Sequence, residues 1–406
     1  MSVLKEPDKI DSDLIHSDLD KLRKQGLFRA PRIIAARNSV NIIIDGKELV
    51  NFSSNDYLGF ANHSRIREAI NDASIQHGVG SGASPLICGK TALHQELEDK
   101  LAAATGRDRS LLFSCGYMAN LGIVQGLTRT IGSHVIMDKL CHASIIDGVM
   151  LSGASFSRYK HTSAESLLSR LKAAGSKRKL VLTESVFSMD GDLAPLDQIS
   201  RLCLENGACL VVDDAHGFGV LGENGMGGLE HFGLTQAEAP IMMATFGKAL
   251  GVQGAFVAGR EDMIEALVQR ARPYIYSTSM PVSDVAGVIE ALNLLRDESS
   301  RRDHLKNLVT YYHQGLIQQG REITQNLAPI QPLIIGSADK TIEISRRLEQ
   351  QGVFVTAIRP PTVPKRTSRL RITLTAAHTK DQVLKLLDAI KFSLQKSGIS
   401  PTATGG

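Results

Sequence analysis

The 406-residue sequence contains no tryptophan, only 5% aromatic residues and only five cysteines. No apolar run approaches the roughly 18 consecutive residues that a membrane-spanning helix requires. The cysteines form no Cys-x-x-Cys pair, which disfavours a zinc site or a disulfide framework and is typical of reduced thiols. The N-terminal residues are acidic and polar, unlike a secretory signal. We therefore expect a cytoplasmic protein with no membrane segment and no metal site.

The charged residues nearly balance, with 46 Lys and Arg against 42 Asp and Glu, a net charge of +4. A charge this small over such a length gives no electrostatic reason to bind nucleic acid. The hydrophobic fraction of 43% and the charged fraction of 22% are ordinary for a globular protein. The length exceeds what one small core needs, so two or three domains are expected.

Three patterns follow one another along the chain. Residues 1–58 combine a polar, helix-prone arm with a hairpin, because two β-branched runs flank Asp45-Gly46. Residues 59–295 alternate short apolar runs with amphipathic segments, which predicts a large domain with a mostly parallel sheet covered on both faces. Its strand candidates are 111–113, 134–137, 180–183, 209–213, 241–244 and 255–258.

Residues 296–406 break that alternation and predict a small α+β domain. A charged helix is expected from Arg296 to about Gln319. Further strands are expected at 330–335, 353–355 and 369–374, and further helices near 339–351 and from about 379. The Ser-, Pro-, Thr- and Gly-containing tail 397–406 is expected to be frayed.

Polar side chains follow the predicted strands, where ligands bind to a parallel sheet. Asp213 and His216 follow one strand, and Lys248 follows another, three residues after Thr245. A desolvated lysine has a lowered pKa and can form a Schiff base with a carbonyl. Gly116 opens a predicted helix whose free amides suit a phosphate.

Taken one at a time, these motifs are explained at least as well by helix caps, solvated loops or structural hydrogen bonds. Taken together with His142 and Ser188, which follow two other strands, they suit an aromatic phosphate with a pyridine nitrogen and an aldehyde. Pyridoxal 5′-phosphate is such a cofactor. Neither residues 80–84 nor the turn at 116–120 spells a Walker A or a full GxGxxG sequence, and no GxSxG sequence occurs, which disfavours nucleotide-binding proteins and serine hydrolases.

The sequence resembles the α-oxoamine synthase family of fold-type I pyridoxal-phosphate enzymes over about residues 14–395. The motifs that carry the resemblance are 51–59 (NFSSNDYLG), 213–217 (DDAHG), 245–248 (TFGK), 276–281 (YSTSMP) and 359–364 (RPPTVP). The resemblance implies an α/β transferase fold with a mostly parallel seven-stranded sheet in the large domain and a small α+β C-terminal domain. It also implies a homodimer with active sites at the subunit interface.

The same resemblance implies roles for individual residues around the cofactor. Lys248 would bind it covalently and then carry a proton, and Asp213 would pair with the pyridinium nitrogen. His142 would stack on the ring, and His216 would hydrogen-bond the 3′-oxygen, with Ser188 near the same edge. The remaining cofactor contacts are implied to be with the phosphate: Gly116, Tyr117 and Thr245 in one subunit, and Ser277 or Thr278 toward the partner subunit.

The implied reaction is a decarboxylating condensation of an amino acid with an acyl thioester. Within the family, the 51–59 and 359–364 motifs point most strongly to L-alanine and pimeloyl-CoA or a pimeloyl-carrier protein, giving 8-amino-7-oxononanoate, CO2 and free thiol in biotin biosynthesis. Asn55 and Arg359 would hold the amino acid carboxylate, and Arg29 and Thr362 would contact the acyl substrate.

Two segments leave the substrate pair open. Residues 87–89 (ICG) resemble the glycine C-acetyltransferase branch, and Gln253 stands where a small residue is expected. Another amino acid and acyl-CoA pair is therefore an alternative. A catalytically silent partner subunit is a further alternative, but relatives of that kind lack the lysine that is present here as Lys248. A basic approach surface for the acyl donor could include Lys365, Arg366, Arg369 and Arg371, and the alternative is an ordinary solvated face.

Overall fold

The computed structural model describes residues 12–25, 27–129, 134–321, 323 and 326–399. The strands are β1 (Ala36–Asn38), β2 (Asn41–Ile44), β3 (Lys47–Asn51), β4 (Arg109–Phe113), β5 (His134–Asp138), β6 (Ser155–Tyr159), β7 (Lys179–Glu184), β8 (Ala208–Asp213), β9 (Ile241–Thr245), β10 (Ala255–Gly259), β11 (Ile330–Gly336), β12 (Val353–Phe354), β13 (Thr356–Ile358) and β14 (Ser368–Thr373). They form three sheets of four, seven and three strands.

The helices lie between these strands and at both ends of the described chain. They are α1 (Ser12–Lys24), α2 (Ser64–His77), α3 (Ala92–Thr105), α4 (Gly116–Thr128), α5 (Ala143–Ser152), α6 (Ala164–Ala174), α7 (Leu196–Glu205), α8 (Gly228–His231), α9 (Glu261–Arg270), α10 (Arg272–Ile275), α11 (Val282–Asp297), α12 (Ser300–Gln318), α13 (Ala338–Gln350) and α14 (Lys380–Lys396). A 3₁₀ turn covers Phe60–Asn62, and a π-helical turn covers Pro85–Gly89. Within the described residues, no helix is long and apolar enough to cross a membrane.

The seven-stranded sheet has the order β4-β10-β9-β8-β7-β5-β6. Strands β9, β8, β7, β5 and β6 pair in parallel, and β10 pairs antiparallel with both β4 and β9. Every residue of β7 is buried, as expected for a central strand covered on both faces. The six predicted strands and the predicted fold class are confirmed.

The seventh strand, β6, was not predicted from the sequence. It lies at the edge of the sheet and pairs with β5 on one side. Its sequence SFSRY is largely exposed and carries few apolar side chains. An edge strand with one covered side lacks the continuous apolar run that marks a central strand.

The predicted hairpin is confirmed as β2 and β3, joined by Asp45 and Gly46. Both turn residues have positive φ angles, 50° and 75°, as a two-residue type I′ turn requires. The predicted strand at 353–355 is divided differently in the structure. β12 pairs in parallel with β3 of the hairpin, whereas β13 joins β11 and β14. The segment passes from one sheet to the other at the buried Val355.

The prediction of one charged helix beginning at Arg296 is wrong. Arg296 lies in the last turn of α11, and the next helix, α12, begins at Ser300. The chain leaves the helical conformation at Glu298, where φ is −115° and ψ is 43°. The boundary predicted at 295–296 thus falls within α11, and the three-domain division stays a prediction. The first 11 residues and the tail from 400 lie outside the described residues.

Candidate active site

The carboxyl ends of the parallel strands bring together the predicted catalytic groups. Lys248 is half-buried in the loop after β9. Burial lowers the pKa of Lys248 to about 8, although the carboxyl groups of Asp213 and Glu184 act in the opposite direction. A lysine with this pKa is partly neutral near neutral pH, so its amine can serve as a nucleophile or a base.

Asp213 ends β8 and is held by two donors. Asn120 Nδ2 donates to Asp213 Oδ2 at 2.7 Å, and the Ala215 amide donates to Oδ1 at 3.0 Å. These donors fix the orientation of a carboxylate that is only 6% exposed. Asn120 also donates to Ser144 Oγ at 2.9 Å, so it links Asp213 to α5. Asn120 was not predicted as a site residue, because an asparagine one turn into a helix carries no distinctive sequence pattern.

His142 is the N-cap of α5, where its Nδ1 accepts from the Ser144 amide at 3.2 Å and lies 2.7 Å from Ser144 Oγ. Its backbone amide donates to Glu184 Oε1 at 2.5 Å. Burial lowers the pKa of His142, which keeps the ring neutral. Burial, reinforced by Asp213, raises the pKa of Glu184 well above its ordinary value. Glu184 was not predicted as a site residue, although an acidic residue at the end of an apolar strand indicates a functional position.

His216 lies in the loop after β8 and is fully enclosed. Its Nδ1 is 2.5 Å from the hydroxyl of Tyr57. Burial lowers the pKa of His216 well below its ordinary value, and the positive charges of Lys248 and Arg371 act in the same direction. Burial raises the pKa of Tyr57 to about 12, so this hydroxyl keeps its proton.

The start of α4 forms a cradle beside β9. A Cβ on Gly116 would lie 2.5 Å from Thr245 Cγ2, so a larger residue could not approach Thr245 this closely. Thr245 Oγ1 is buried and has no hydrogen-bond partner within the described part of the chain. A buried hydroxyl beside the free amides of a helix start suits a phosphate oxygen. The side chain of Tyr117 is partly exposed and donates its hydroxyl to Asp147.

Ser277 and Thr278 lie near the same helix start. Ser277 Oγ is 3.7 Å from the sulfur of Met118, in the first turn of α4. The Thr278 carbonyl accepts from Ser114 Oγ at 2.9 Å. The structure thus holds this segment next to the phosphate cradle of its own chain, and a contact across a subunit interface stays a prediction.

Arg371 on β14 enters the site from the C-terminal part of the chain. Its Nε donates to the Ser188 carbonyl at 2.6 Å, and its Nη1 donates to Asn55 Oδ1 at 3.0 Å and to Thr373 Oγ1 at 3.2 Å. The structure therefore pairs Asn55 with Arg371. Arg371 is 7% exposed and acts electrostatically on Lys248.

The expectation that Arg369 and Arg371 lie on a basic surface is wrong, because both are buried. Arg369 Nη1 donates to the Met189 carbonyl at 3.2 Å and to the Asp190 carboxylate. The two arginines of β14 therefore hold the loop after β7, although the two strands belong to different sheets. The sequence offered one sign of this burial, because the two arginines alternate with apolar residues along a predicted strand.

Arg359 belongs to a second, more exposed group. Its Nη2 donates to the Phe28 carbonyl at 3.2 Å. Arg29 Nη2 donates to Thr362 Oγ1 at 3.1 Å. The structure thus pairs Arg29 with Thr362, the two residues expected at the acyl substrate, and places Arg359 beside them. Asn55, the predicted partner of Arg359, is instead hydrogen-bonded to Arg371.

Comparison with known proteins agrees with this geometry. Residues 47–390 match the family described as aminotransferase class I and II. The chain belongs to that family. Within it, the chain is 47% identical over 384 residues to the 8-amino-7-oxononanoate synthase of Thioalkalivibrio sulfidiphilus, covering 94% of this chain and 98% of the relative. The Hahella chejuensis 8-amino-7-oxononanoate synthase is 49% identical over 368 residues, covering 91% and 93%.

Solved structures of the family share the fold. A lysine-to-alanine variant of serine palmitoyltransferase from S. paucimobilis, with a bound PLP–myriocin aldimine, superposes with a TM-score of 0.90 at 30% identity, covering 96% of this chain and 99% of that one. The 8-amino-7-oxononanoate synthase of Francisella tularensis gives a TM-score of 0.75 at 30% identity, covering 86% and 99%. Both the fold-type I architecture and the α-oxoamine synthase family predicted from the sequence are confirmed.

The residues present fit pyridoxal 5′-phosphate, the cofactor of this family. The unpartnered Thr245 hydroxyl and the Gly116 cradle fit its phosphate. The oriented carboxylate of Asp213 fits a protonated pyridine nitrogen. Lys248, with its lowered pKa, fits an aldehyde. In the described ranges, no group of three or more His, Cys, Asp or Glu side chains is placed to hold a metal ion.

Proposed function

We propose that this protein condenses L-alanine with a pimeloyl thioester, of CoA or a carrier protein, to give 8-amino-7-oxononanoate, CO2 and free thiol in biotin biosynthesis. The observation that carries the proposal is 47–49% identity to 8-amino-7-oxononanoate synthases along nearly the whole chain. The site geometry supports it, because an amine of lowered pKa lies among an oriented carboxylate, two neutral histidines and a buried arginine.

Lys248, Asp213, His142 and His216 form the catalytic group of this proposal. When bound, pyridoxal 5′-phosphate supplies an electron sink for negative charge at the amino acid Cα. Asp213 holds a proton on the pyridine nitrogen, which makes that sink stronger. Lys248 binds the cofactor, removes the proton from Cα and returns one after CO2 has left. His142 would stack on the ring of the cofactor and help to orient it.

The remaining contacts divide between the phosphate and the substrates. Gly116, Tyr117 and Thr245 would hold the phosphate, and His216 would hydrogen-bond the 3′-oxygen, with Ser188 near the same edge. Asn55 and Arg371 hold the carboxylate of alanine, supported by their mutual hydrogen bond of 3.0 Å.

The acyl chain is bound by Arg29, Arg359 and Thr362. The far carboxylate of a pimeloyl group needs a cationic partner, and the guanidinium groups of the exposed Arg29 and the partly exposed Arg359 supply one. This assignment moves Arg359 from the amino acid carboxylate, where the sequence had placed it, to the acyl chain.

The protein works as a homodimer in this proposal, with Ser277 or Thr278 reaching the phosphate of the partner subunit. Apolar side chains near this segment support it, since Ile87 and Tyr276 are 78% and 70% exposed. Pro85 and Ser277 line one small cavity, so the two segments are neighbours. Exposed apolar side chains on two neighbouring segments suit contact with a second copy of the chain.

A mixing experiment tests the shared site. Lys248→Ala and the double variant S277A/T278A are purified, mixed under conditions that exchange subunits, and assayed. If the sites are shared, mixed dimers contain one site without either defect, and activity is regained up to about a quarter of the wild-type value. Activity no higher than the sum of the parents would contradict the shared site.

The proposed location is the cytoplasm. The five cysteines are all free, and Cys88 is exposed. Exposed free thiols persist in a reducing compartment. Localisation of a tagged chain by fractionation checks this expectation.

The test of the reaction itself is a panel of amino acids and acyl thioesters scored by thiol and CO2 release. L-alanine with a pimeloyl thioester is expected to give the highest kcat/KM. Faster turnover of glycine with a short acyl-CoA would refute the substrate assignment and leave the family assignment intact.

A further inference from the structure

We infer that Tyr57 is a positioning residue that fixes the ring proton of His216 on Nε2 and lies between His216 and Arg371. The inference rests on the proposed cofactor site but does not depend on which amino acid or thioester is used. Tyr57 lies in the 51–59 motif, and the mechanism above gives it no role.

The contacts of Tyr57 place its hydroxyl between two parts of the site. The hydroxyl oxygen is 2.5 Å from His216 Nδ1 and 3.4 Å from Asn55 Oδ1. Asn55 Oδ1 already accepts from Arg371 at 3.0 Å. Arg371 also acts directly on the Tyr57 hydroxyl, so this hydroxyl lies between His216 and Arg371.

The ring of Tyr57 is held firmly in this position. The residue is fully buried. Its amide donates to the Asn55 carbonyl at 2.8 Å, and its carbonyl accepts from the Ala376 amide at 2.8 Å, just beyond β14. These two hydrogen bonds hold the main chain at Tyr57, and the burial of the ring restricts the side chain.

The short contact admits two proton arrangements. In the first, Tyr57 donates to Nδ1, and His216 carries its only proton on Nε2. In the second, Nδ1–H donates to Tyr57, whose own proton must then reach Asn55 Oδ1 over 3.4 Å. A 3.4 Å O–H···O contact is too long for a good hydrogen bond, and that oxygen already accepts from Arg371.

The surrounding charges favour the first arrangement. The positive charge of Arg371 acts on the Tyr57 hydroxyl and makes it a better donor. Burial, Lys248 and Arg371 keep His216 neutral, so that one ring nitrogen is an acceptor. With Nδ1 occupied by Tyr57, the Nε2–H bond is the single ring donor left for an oxygen of the cofactor.

The variant Tyr57→Phe tests the inference, with Tyr312→Phe as the matched control. Tyr312 is an equally buried tyrosine on α12. The absorption spectrum of bound pyridoxal 5′-phosphate and its dissociation constant are measured without substrates. Tyr57→Phe is expected to shift the absorption maximum and to weaken cofactor binding about 10-fold, the loss typical of one hydrogen bond in a buried site. Tyr312→Phe is expected to change neither.

A second measurement needs no variant at Tyr57. It therefore still tests the inference if Tyr57→Phe does not fold. Wild-type protein labelled with 15N-histidine is examined by NMR, and His216 is assigned from the signals lost in His216→Asn. The inference expects a proton on Nε2 and an unprotonated, hydrogen-bonded Nδ1. A proton on Nδ1 would overturn it, as would a Tyr57→Phe protein whose spectrum and cofactor affinity match those of the control.

These readouts separate this inference from the proposed function. If L-alanine and pimeloyl thioester prove to be the wrong substrates, the spectrum and the 15N signals still report on Tyr57. If the protein binds no pyridoxal 5′-phosphate, the proposed function fails, and the NMR measurement alone decides the tautomer.

Discussion

Conservative replacement of two arginines should separate their effects on the two substrates. In Arg371→Lys the charge is kept, but the planar fork that reaches Ser188 and Asn55 is lost. In Arg359→Lys the same chemical change is made in the exposed group with Arg29 and Thr362. The pair therefore distinguishes the arginine that binds the amino acid from the one that binds the acyl chain.

The magnitude follows from burial and from the number of charged hydrogen bonds. Arg371 is 7% exposed and makes three hydrogen bonds to protein groups. A lysine at this position cannot keep these three hydrogen bonds and also donate to a carboxylate, which Arg371 can do through the hydrogens that remain on Nη2. Loss of one charged hydrogen bond costs about 1.5–3 kcal/mol, so KM for alanine should rise about 10- to 150-fold.

Arg359 is partly exposed, so solvent screening reduces the effect of its replacement. KM for the pimeloyl thioester should rise by about 10-fold or less, with KM for alanine nearly unchanged.

The assay is thiol release with each substrate varied in turn, after both variants have been shown to bind the cofactor and to unfold at temperatures close to that of the wild type. An unchanged KM for alanine in Arg371→Lys would refute the assignment of Arg371. A rise in KM for alanine in Arg359→Lys would restore the carboxylate role that the sequence indicated for Arg359.

Three further predictions concern the phosphate cradle and a partly buried ion cluster of His161, Asp138 and Asp192. Thr245→Val should weaken cofactor binding about 10-fold. The same variant should raise the melting temperature of the cofactor-free protein, because it removes an unpartnered buried hydroxyl, and a lowered melting temperature would contradict this. Gly116→Ala should reduce cofactor affinity in equilibrium binding, because its Cβ would lie 2.5 Å from Thr245 Cγ2, and unchanged affinity would argue against the cradle. Burial lowers the pKa of His161, but hydrogen bonds to Asp138 and Asp192 outweigh burial and raise it to about 10. Because the folded-state pKa lies above the unfolded value of about 6.5, the stability from this charge is complete below pH 6.5 and is lost as pH rises toward 10. Urea unfolding of His161→Gln should lack that decline, and a wild-type pH slope in the variant would count against the ion cluster.

Most of the catalytic residues could be predicted from the sequence, because they follow strands that a local apolar pattern identifies. Apolar runs end directly before Asp213 and closely precede Lys248, and parallel strands place their carboxyl ends on one edge. His142 could be expected there for the same reason. The edge strand β6 escaped prediction because half-exposed strands lack the apolar run on which such recognition depends.

The residues that escaped prediction act through contacts between distant parts of the chain. Arg371 meets Asn55 across 316 positions, and Tyr57 meets His216 across 159. Periodicity identifies which face of an element is buried, but it does not identify which buried polar groups will pair.

The sequence by itself determined the alternation of strands and helices, the hairpin turn, the family and the lysine of the site, because each depends on a local pattern or a contiguous motif. Tertiary structure alone decided that Arg371 accompanies Asn55, that Arg359 accompanies Arg29, and that β12 pairs with the N-terminal hairpin. A buried charge must find its partners within the folded interior, and only the packing of β14 against the loop after β7 decides which groups lie within reach.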